Sequence, residues 1–152
     1  MNAETEAKVK AAFIFNFTRF VSWKTKKADT PLRIAIFGSE KISKFLTTYI
    51  EEKNLSGAIA VISYDSPPLG SENINLLFID HSKERFSSEI IKQLAGKDIL
   101  TVSDIEDFAV QGGIIGMYNE SGRIKLAINL AEANKSGLKI SAKLLELARV
   151  IK

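Results

Sequence analysis

The chain has 152 residues, 45% of them hydrophobic and 26% charged, which are the proportions of a folded globular protein. This length predicts one domain over residues 1–152, with a core that needs no metal or disulfide. The net charge of +3 is too small to indicate a nucleic-acid partner. With no cysteine and a single histidine, His81, the composition excludes disulfides, thiol nucleophiles and cysteine-based zinc sites.

The N-terminal residues are polar and acidic, unlike the basic and then apolar opening of a secretory signal peptide. We therefore expect either a cytoplasmic protein or a mature form whose leader has been removed. Residues 3–23 predict one long helix, with Thr5 as a candidate N-cap. Four of the nine phenylalanines lie in it. A helix that is apolar on more than one face is expected to need two packing partners or a partner chain.

Strands and helices then alternate along the chain. Apolar runs predict strands at residues 32–37, 58–62, 75–79 and 99–102, and amphipathic spacing predicts helices at 42–53 and 84–94. Ser103 or Asp104 is expected to cap a short helix that ends at Phe108. This alternation is typical of a parallel sheet covered by helices on both faces.

The pattern changes after Gly113. Two strands, 114–118 and 123–128, flank a short polar loop with a glycine, which predicts an antiparallel hairpin. A short helix at 130–135 follows, and Ser141 is expected to cap a last helix that reaches residue 150. The sequence thus predicts an α/β layered sandwich, with a mostly parallel sheet flanked by helices and a C-terminal antiparallel hairpin at one edge. No transmembrane helix and no direct membrane insertion are expected.

Polar residues follow three of the predicted parallel strands. Gly38-Ser39 lies where a Rossmann-like fold binds phosphate, but a single glycine favours a tight turn. Asp80-His81-Ser82 reads as a solvated loop, since the members of a catalytic triad meet through the fold and are not adjacent in sequence. The acids after Ser103 favour helix capping over a magnesium site shared with Asp80.

These residues leave three functional classes open. The carboxyl ends of parallel strands meet at one edge, so a small-ligand sensor would bind its ligand there. Its lining residues would be Gly38, Ser39, His81, Ser103 and Asp104. An enzyme, for example a metal-dependent phosphatase, would use Asp80 and Asp104. Because no group of residues reaches the level of a catalytic site, we predict no catalytic residue, metal or cofactor. A binding or interaction protein is the favoured functional class.

The aromatic end of the first predicted helix is the candidate protein-contact surface. Phe17, Phe20 and Trp23 are predicted to contact a partner, although for Phe17 a core position is the favoured alternative. The neighbouring basic residues Lys24, Lys26 and Lys27 read as a solvated loop, because Trp23 is the only aromatic residue among them. Neither a nucleic-acid nor a lipid surface is therefore expected there.

Several ordered stretches resemble the YfiR-like family of small exported bacterial proteins. The first is residues 10–23, which end in the F-x-x-W signature Phe20-Val21-Ser22-Trp23, and the second is the central strand 76–79. The third is 100–116 with Phe108 and Gly112-Gly113, and the fourth is 128–148 with Gly137 and Ser141. The likeness covers about residues 10 to 150. It departs from the family at Lys24, where proline is usual, and at Ile74-Asn75, where many relatives carry a Cys-His pair. Redox regulation through the family's disulfides therefore does not carry over.

The resemblance implies a non-catalytic periplasmic regulator. The family's type member represses an inner-membrane diguanylate cyclase through that enzyme's periplasmic domain, and related domains occur attached to sensor kinases. We therefore expect an inner-membrane signalling partner, a diguanylate cyclase or a sensor kinase, and a homodimer. The expected location is the periplasm, with the signal peptide absent from this sequence. The alternative is a small-ligand sensor module that works with a sensor kinase or a transport system.

Overall fold

Nine strands and five α-helices make up the computed structural model, which describes residues 1–151 and leaves Lys152 outside the described part. The strands are β1 (Val21–Trp23), β2 (Leu32–Phe37), β3 (Ile59–Tyr64), β4 (Leu76–Ile79), β5 (Leu100–Ser103), β6 (Ile115–Glu120), β7 (Arg123–Asn129), β8 (Leu138–Ile140) and β9 (Ala148–Ile151). The helices are α1 (Ala3–Phe20), α2 (Glu40–Glu52), α3 (Ser87–Leu94), α4 (Leu130–Lys135) and α5 (Ala142–Glu146), with a 3-10 helix over His81–Phe86.

Seven strands form the main sheet, in the order β3-β2-β4-β5-β6-β7-β9. The first five in this order are mutually parallel, β6 and β7 form an antiparallel hairpin, and β9 runs parallel to β7. Strands β1 and β8 form a separate antiparallel pair. The predicted fold class, a mostly parallel α/β sheet flanked by helices with a C-terminal hairpin, is confirmed. The final strand β9 adds one more strand outside the hairpin.

Alternate side chains of the sheet belong to two separate apolar layers. On β2, Ile34 and Ile36 pack in the layer shared with α1 and α2, whereas Ala35 and Phe37 pack in the layer shared with α3. This two-residue alternation follows from strand geometry, which points successive side chains to opposite faces. Both faces are buried, which explains why β2 and β4 read as near-continuous apolar runs.

The first helix ends at Phe20, earlier than the sequence predicts. Val21 has an extended backbone (φ −119°, ψ 139°), and β1 then pairs with β8, with Trp23 opposite Leu138. The prediction of helix over 21–23 was therefore wrong, because a strand also buries Val21 and Trp23 against the core. The predicted cap Thr5 was also wrong, since Asn2 Oδ1 accepts a hydrogen bond from the backbone N–H of Thr5 at 2.8 Å.

The predicted helix after Ser103 is a series of turns instead. Asp107 adopts a left-handed backbone conformation (φ 59°), which interrupts a helical path. Phe108 then folds under the turn and lies against Gly113, where a β-carbon would overlap the Phe108 ring. The requirement at Gly113 is therefore close approach to a core side chain, which only glycine permits.

The last predicted helix divides into a helix and a strand. Ser141 caps α5, as predicted, through its Oγ and the backbone N–H of Leu144. The helix ends at Glu146, and β9 then pairs with β7, with Val150 opposite Ile128. The helical reading of residues 148–150 was wrong because the open edge of β7 provides hydrogen-bond partners for an extended chain.

Candidate functional site

Four polar side chains meet where β4 and β5 end. Ile79 and Ser103 are neighbours across the two strands, so the residues that follow them, Asp80 and Asp104, emerge side by side. Lys10 reaches the same place from α1, and His81 follows Asp80. We call Lys10, Asp80, His81 and Asp104 the carboxyl-edge cluster.

A buried ion pair is the centre of this cluster. Lys10 Nζ lies 2.7 Å from Asp104 Oδ2, and the two side chains are only 10% and 4% exposed. The second oxygen of Asp104, Oδ1, accepts a hydrogen bond from the backbone N–H of His81 at 2.8 Å. Glu6, one turn earlier on α1, lies 3.7 Å from Lys10 Nζ. The free-energy cost of removing both charges from water offsets their attraction, so such a pair adds little net stability. Removing one partner is nevertheless costly, because it leaves the other charge buried and unpaired.

The imidazole of His81 lies beside two carboxylates. Its Nδ1 is 2.9 Å from Asp104 Oδ2 and 3.8 Å from Asp80 Oδ1, while 66% of the side chain is exposed. The hydrogen bond with Asp104 raises the pKa of His81 above its ordinary value, against the opposing effect of partial burial. The negative charges of Asp104 and Asp80 also raise this pKa, and the Lys10 charge lowers it.

Asp80 is both a cap and a buried carboxylate. Its Oδ2 accepts a hydrogen bond from the Ser82 N–H at 3.0 Å, which begins the 3-10 helix, and the residue is 8% exposed. One ligand atom each from Asp80, His81 and Asp104 lies within 4.8 Å of the others. Two carboxylates and an imidazole are a donor set that divalent metals accept.

The other predicted ligand residues at this edge have structural roles. Ser39 caps α2, because its Oγ accepts a hydrogen bond from the Ile42 N–H. Gly38 is left-handed (φ 98°) and lies so close to the 3-10 helix after β4 that a β-carbon would be 2.6 Å from Lys83 Cγ. The tight-turn interpretation of Gly38-Ser39 is thus confirmed.

Ser103 does not face a ligand site. It is fully buried, and its Oγ donates to the carbonyl oxygen of Ile79 at 2.5 Å and accepts from the Ile105 N–H at 3.0 Å. The expected ligand contact of Ser103 is therefore corrected to a cross-link between β4 and the turn after β5. The capping role expected for Asp104 is also corrected, since no helix follows it and it binds Lys10 and His81.

A cavity of about 480 Å³ opens beside the carboxyl-edge cluster. Lys10, His81 and Asp104 line one side of it, and the turn after β5 closes another. Met117 of β6 and Ile124 of β7 provide apolar wall, and residues of β9 complete the lining. The site therefore lies between α1 and the hairpin, and of the five predicted ligand residues it includes His81 and Asp104.

The aromatic end of α1 is mainly core. Phe17 is 0% exposed, and Trp23 is 9% exposed with its indole N–H donating to the carbonyl oxygen of Asn75 at 2.8 Å. Of the three residues predicted to contact a partner, only Phe20 remains partly exposed. The core position favoured for Phe17 is confirmed. The contact prediction for Phe17 and Trp23 is corrected to a supporting role, because a buried side chain presents no surface. For Phe20 it stays a prediction.

The excess apolar surface of α1 is covered within the chain. Phe15 packs edge-to-face on Tyr49 of α2, with ring centroids 4.9 Å apart, and Ile14 is fully buried. The helix thus finds its two partners in α2 and the sheet, which removes one argument for a partner chain. Dimerisation stays a prediction from the family resemblance.

The notable omission from the sequence analysis is Lys10. Lys10 lies within an apolar stretch of α1, at a position that the helix buries. A lysine in such a stretch was the one sequence feature that could have indicated a buried charge. No local spacing connects Lys10 with Asp104, which lies 94 residues later in the chain.

None of the helices in residues 1–151 is long and apolar enough to cross a membrane.

Comparison with known proteins gives one family and a shared fold. The model of the YfiR/HmsC-like family matches residues 7–149. No curated protein matches the chain. Among solved structures, similar ones include the ABC domain in complex with L-Trp from Streptococcus pneumonia, with a TM-score of 0.63 and 13% identity over 95% of this chain and 60% of that one. A conserved domain protein from Vibrio cholerae is similar with a TM-score of 0.64 and 10% identity, over 96% of this chain and 60% of that one. At these identities the two likenesses show the fold alone.

Proposed function

This chain belongs to the YfiR/HmsC-like family, and from that premise we propose that it is a non-enzymatic regulatory protein of the periplasm. The partner that we propose is an inner-membrane diguanylate cyclase, which the protein binds and represses, so that cyclic-di-GMP falls. The observation that carries this proposal is the family match over residues 7–149, which includes most of α1, the carboxyl-edge cluster and the hairpin.

The bonding of the strand-end residues supports a binding role. The hydroxyl of Ser103 is engaged by two backbone groups, and the carboxylate of Asp104 is engaged by Lys10 and by His81. A nucleophile or general base needs a lone pair directed at a substrate. Here these groups join β4, β5 and α1, which suits a protein that works through its surface.

The partner surface that we propose is centred on Phe20. Its side chain is partly exposed at the end of α1, and its carbonyl oxygen accepts a hydrogen bond from the Ser141 N–H at 2.9 Å. Phe17 and Trp23 pack in the core beneath this helix end. An aromatic side chain on a rigid, well-supported element is typical of the residues that dominate binding energy.

A matched pair of variants tests this surface. Phe13 and Phe20 are both partly exposed residues of α1 that pack against the same core. We expect Phe20→Ala to weaken binding to the periplasmic domain of the membrane diguanylate cyclase encoded nearest this gene by at least about tenfold. We expect Phe13→Ala to bind as the wild type does. Isothermal titration calorimetry measures both affinities, and the absence of wild-type binding would contradict the proposal.

The cavity supports a second candidate, a small-ligand sensor module that works with a sensor kinase or a transport system. A volume of about 480 Å³ with both charged and apolar walls has the size and chemistry of a small-molecule site. A ligand that binds the folded state raises the melting temperature. We expect at least one compound of a metabolite and nucleotide panel to stabilise the wild type but not Arg149→Ala, a variant at the cavity wall. A panel without any stabilising compound would count against this candidate.

A further inference from the structure

The carboxyl-edge cluster has the spacing of a metal site. His81 Nδ1 is 2.9 Å from Asp104 Oδ2 and 3.8 Å from Asp80 Oδ1. A tetrahedral ion with ligand distances of about 2.0–2.1 Å separates its ligand atoms by about 3.3 Å. The two distances lie on either side of this value, and all three ligand atoms lie within 4.8 Å of one another. Side-chain movements that close the longer separations would place all three atoms around one ion.

The three side chains are already oriented by other bonds. Asp80 Oδ2 accepts a hydrogen bond from the Ser82 N–H, which leaves Oδ1 directed at His81. Within residues 1–151, Asp80 Oδ1 accepts no hydrogen bond. Asp104 Oδ1 holds the backbone N–H of His81, which leaves Oδ2 directed at the imidazole. Metal ligands in proteins are typically fixed in this way by outer hydrogen bonds.

We propose that Asp80, His81 and Asp104 form a binding site for a divalent transition-metal ion, with Zn²⁺ the best match, and that the ion displaces the Lys10 ammonium from Asp104. An imidazole and two carboxylates suit Zn²⁺ with a water as fourth ligand, whereas Mg²⁺ and Ca²⁺ require more oxygen ligands. Asp80 and Asp104 have low exposure and lie beside both Lys10 and His81. Zn²⁺ coordinates the neutral imidazole, so its binding at Nδ1 releases the proton that His81 carries when charged. The two carboxylates then compensate the charge of the ion.

Displacement of Lys10 links the ion to the first helix. Glu6 Oε2 lies 3.7 Å from Lys10 Nζ on the same helix, so the released ammonium has a partner one turn away. The bond that joins α1 to the end of β5 would then be lost. The site is independent of the proposed cyclase partner, and it would give the protein a metal-dependent change in how α1 is held.

The single histidine makes the test specific. His81 is the only histidine, so an imidazole ¹H–¹⁵N NMR spectrum of the untagged protein reports this site alone. We expect Zn²⁺ to shift the Nδ1 resonance in one saturable 1:1 step, and an excess of Mg²⁺ to leave it unchanged. Asp80→Asn retains a capping oxygen, and we expect it to weaken Zn²⁺ binding by at least about tenfold.

Two further variants distinguish site binding from surface binding. Lys10→Met removes the competing ammonium, so we expect Zn²⁺ to bind at least about tenfold more tightly than to the wild type. Glu106→Gln changes an exposed acid of the neighbouring cavity, and we expect wild-type affinity. The proposal would be overturned by a Zn²⁺ titration without saturation at Nδ1. Equal affinities of the wild type and Asp80→Asn would overturn it as well, whether or not Lys10→Met folds.

Discussion

Near its middle, α1 is attached to the sheet by the ammonium of Lys10, which pairs with Asp104 at 2.7 Å. Just beyond the end of the helix, Trp23 buries an indole that donates a hydrogen bond to the carbonyl oxygen of Asn75. The aromatic attachment removes apolar surface from water and satisfies its one polar group, so it stabilises the fold outright. The charged attachment needs two desolvated ions, which makes its net contribution small and its loss costly. The comparison teaches that the aromatic attachment secures the fold, while the charged attachment at Lys10 is the place where one bonding partner can replace another.

The largest expected effect is at the aromatic end. Phe17→Ala should lower the free energy of unfolding by about 3–5 kcal/mol, because it removes a fully buried ring and leaves a cavity. Urea unfolding measures the change. Phe20→Ala, at the partly exposed position, is the control and should lose less than half as much. Equal losses at the two positions would contradict the assignment of Phe17 to the core.

Breaking the charged attachment should have the next largest effect. Asp104→Leu removes the closer carboxylate from the Lys10 ammonium and leaves Glu6 at 3.7 Å, and we expect a loss of about 3 kcal/mol in unfolding free energy. The double variant Lys10→Met with Asp104→Leu should regain about 2 kcal/mol, since no buried charge is then left unpaired. Urea unfolding of both variants measures the two unfolding free energies. A double variant as unstable as the single one would show that the pair itself stabilises the fold.

The turn that carries Asp104 is held by apolar packing, which a glycine substitution tests. Gly113→Ala places a β-carbon in the Phe108 ring, and we expect a loss of about 1–3 kcal/mol. Gly57→Ala is the matched control, because nothing lies within 4 Å of a β-carbon there. Thermal unfolding of the two variants gives the difference. A Gly113→Ala protein as stable as Gly57→Ala would show that Phe108 moves aside easily.

The smallest expected effect is the pH dependence that His81 adds. Its folded-state pKa is raised above the ordinary 6.5, chiefly by the hydrogen bond with Asp104. Its contribution to stability is therefore fully present below pH 6.5 and is lost as pH rises through the folded-state pKa. Solvent around this exposed side chain keeps the effect small. Between about pH 5.5 and about pH 8.5, the stability difference between the wild type and His81→Gln should shrink, and a constant difference would contradict the pairing.

Much of the fold could be predicted from the sequence, because β2, β4 and the β6–β7 hairpin carry strong local patterns. The bounds of β2 are as predicted, and Ser121-Gly122 forms the tight connection expected between two antiparallel strands. The strands β1, β8 and β9 were missed, since three or four residues carry too little alternation. Their pairing comes from neighbours distant in the sequence.

The candidate site was predicted only in part, for the same physical reason. His81 and Asp104 follow adjacent parallel strands, so their meeting at one edge was predictable. Lys10, the ion-pair partner of Asp104, lies on a helix that covers the sheet. No spacing or motif in the sequence connects Lys10 with His81 or Asp104. Phe17 was a candidate contact with a core position as the favoured alternative, and the core position is confirmed. Trp23 was assigned to a surface because an apolar excess does not reveal which neighbours in the same chain will cover it.

The central claim, that the protein represses a membrane diguanylate cyclase from the periplasm, is tested most directly by measuring cyclic-di-GMP in cells. The chain would be exported with a cleavable leader beside the cyclase encoded nearest its gene, and its folded presence in the periplasm verified by fractionation. We expect cyclic-di-GMP to fall when the wild type is produced and to remain high with Phe20→Ala. An unchanged cyclic-di-GMP level, with wild-type protein folded in the periplasm, would contradict the account.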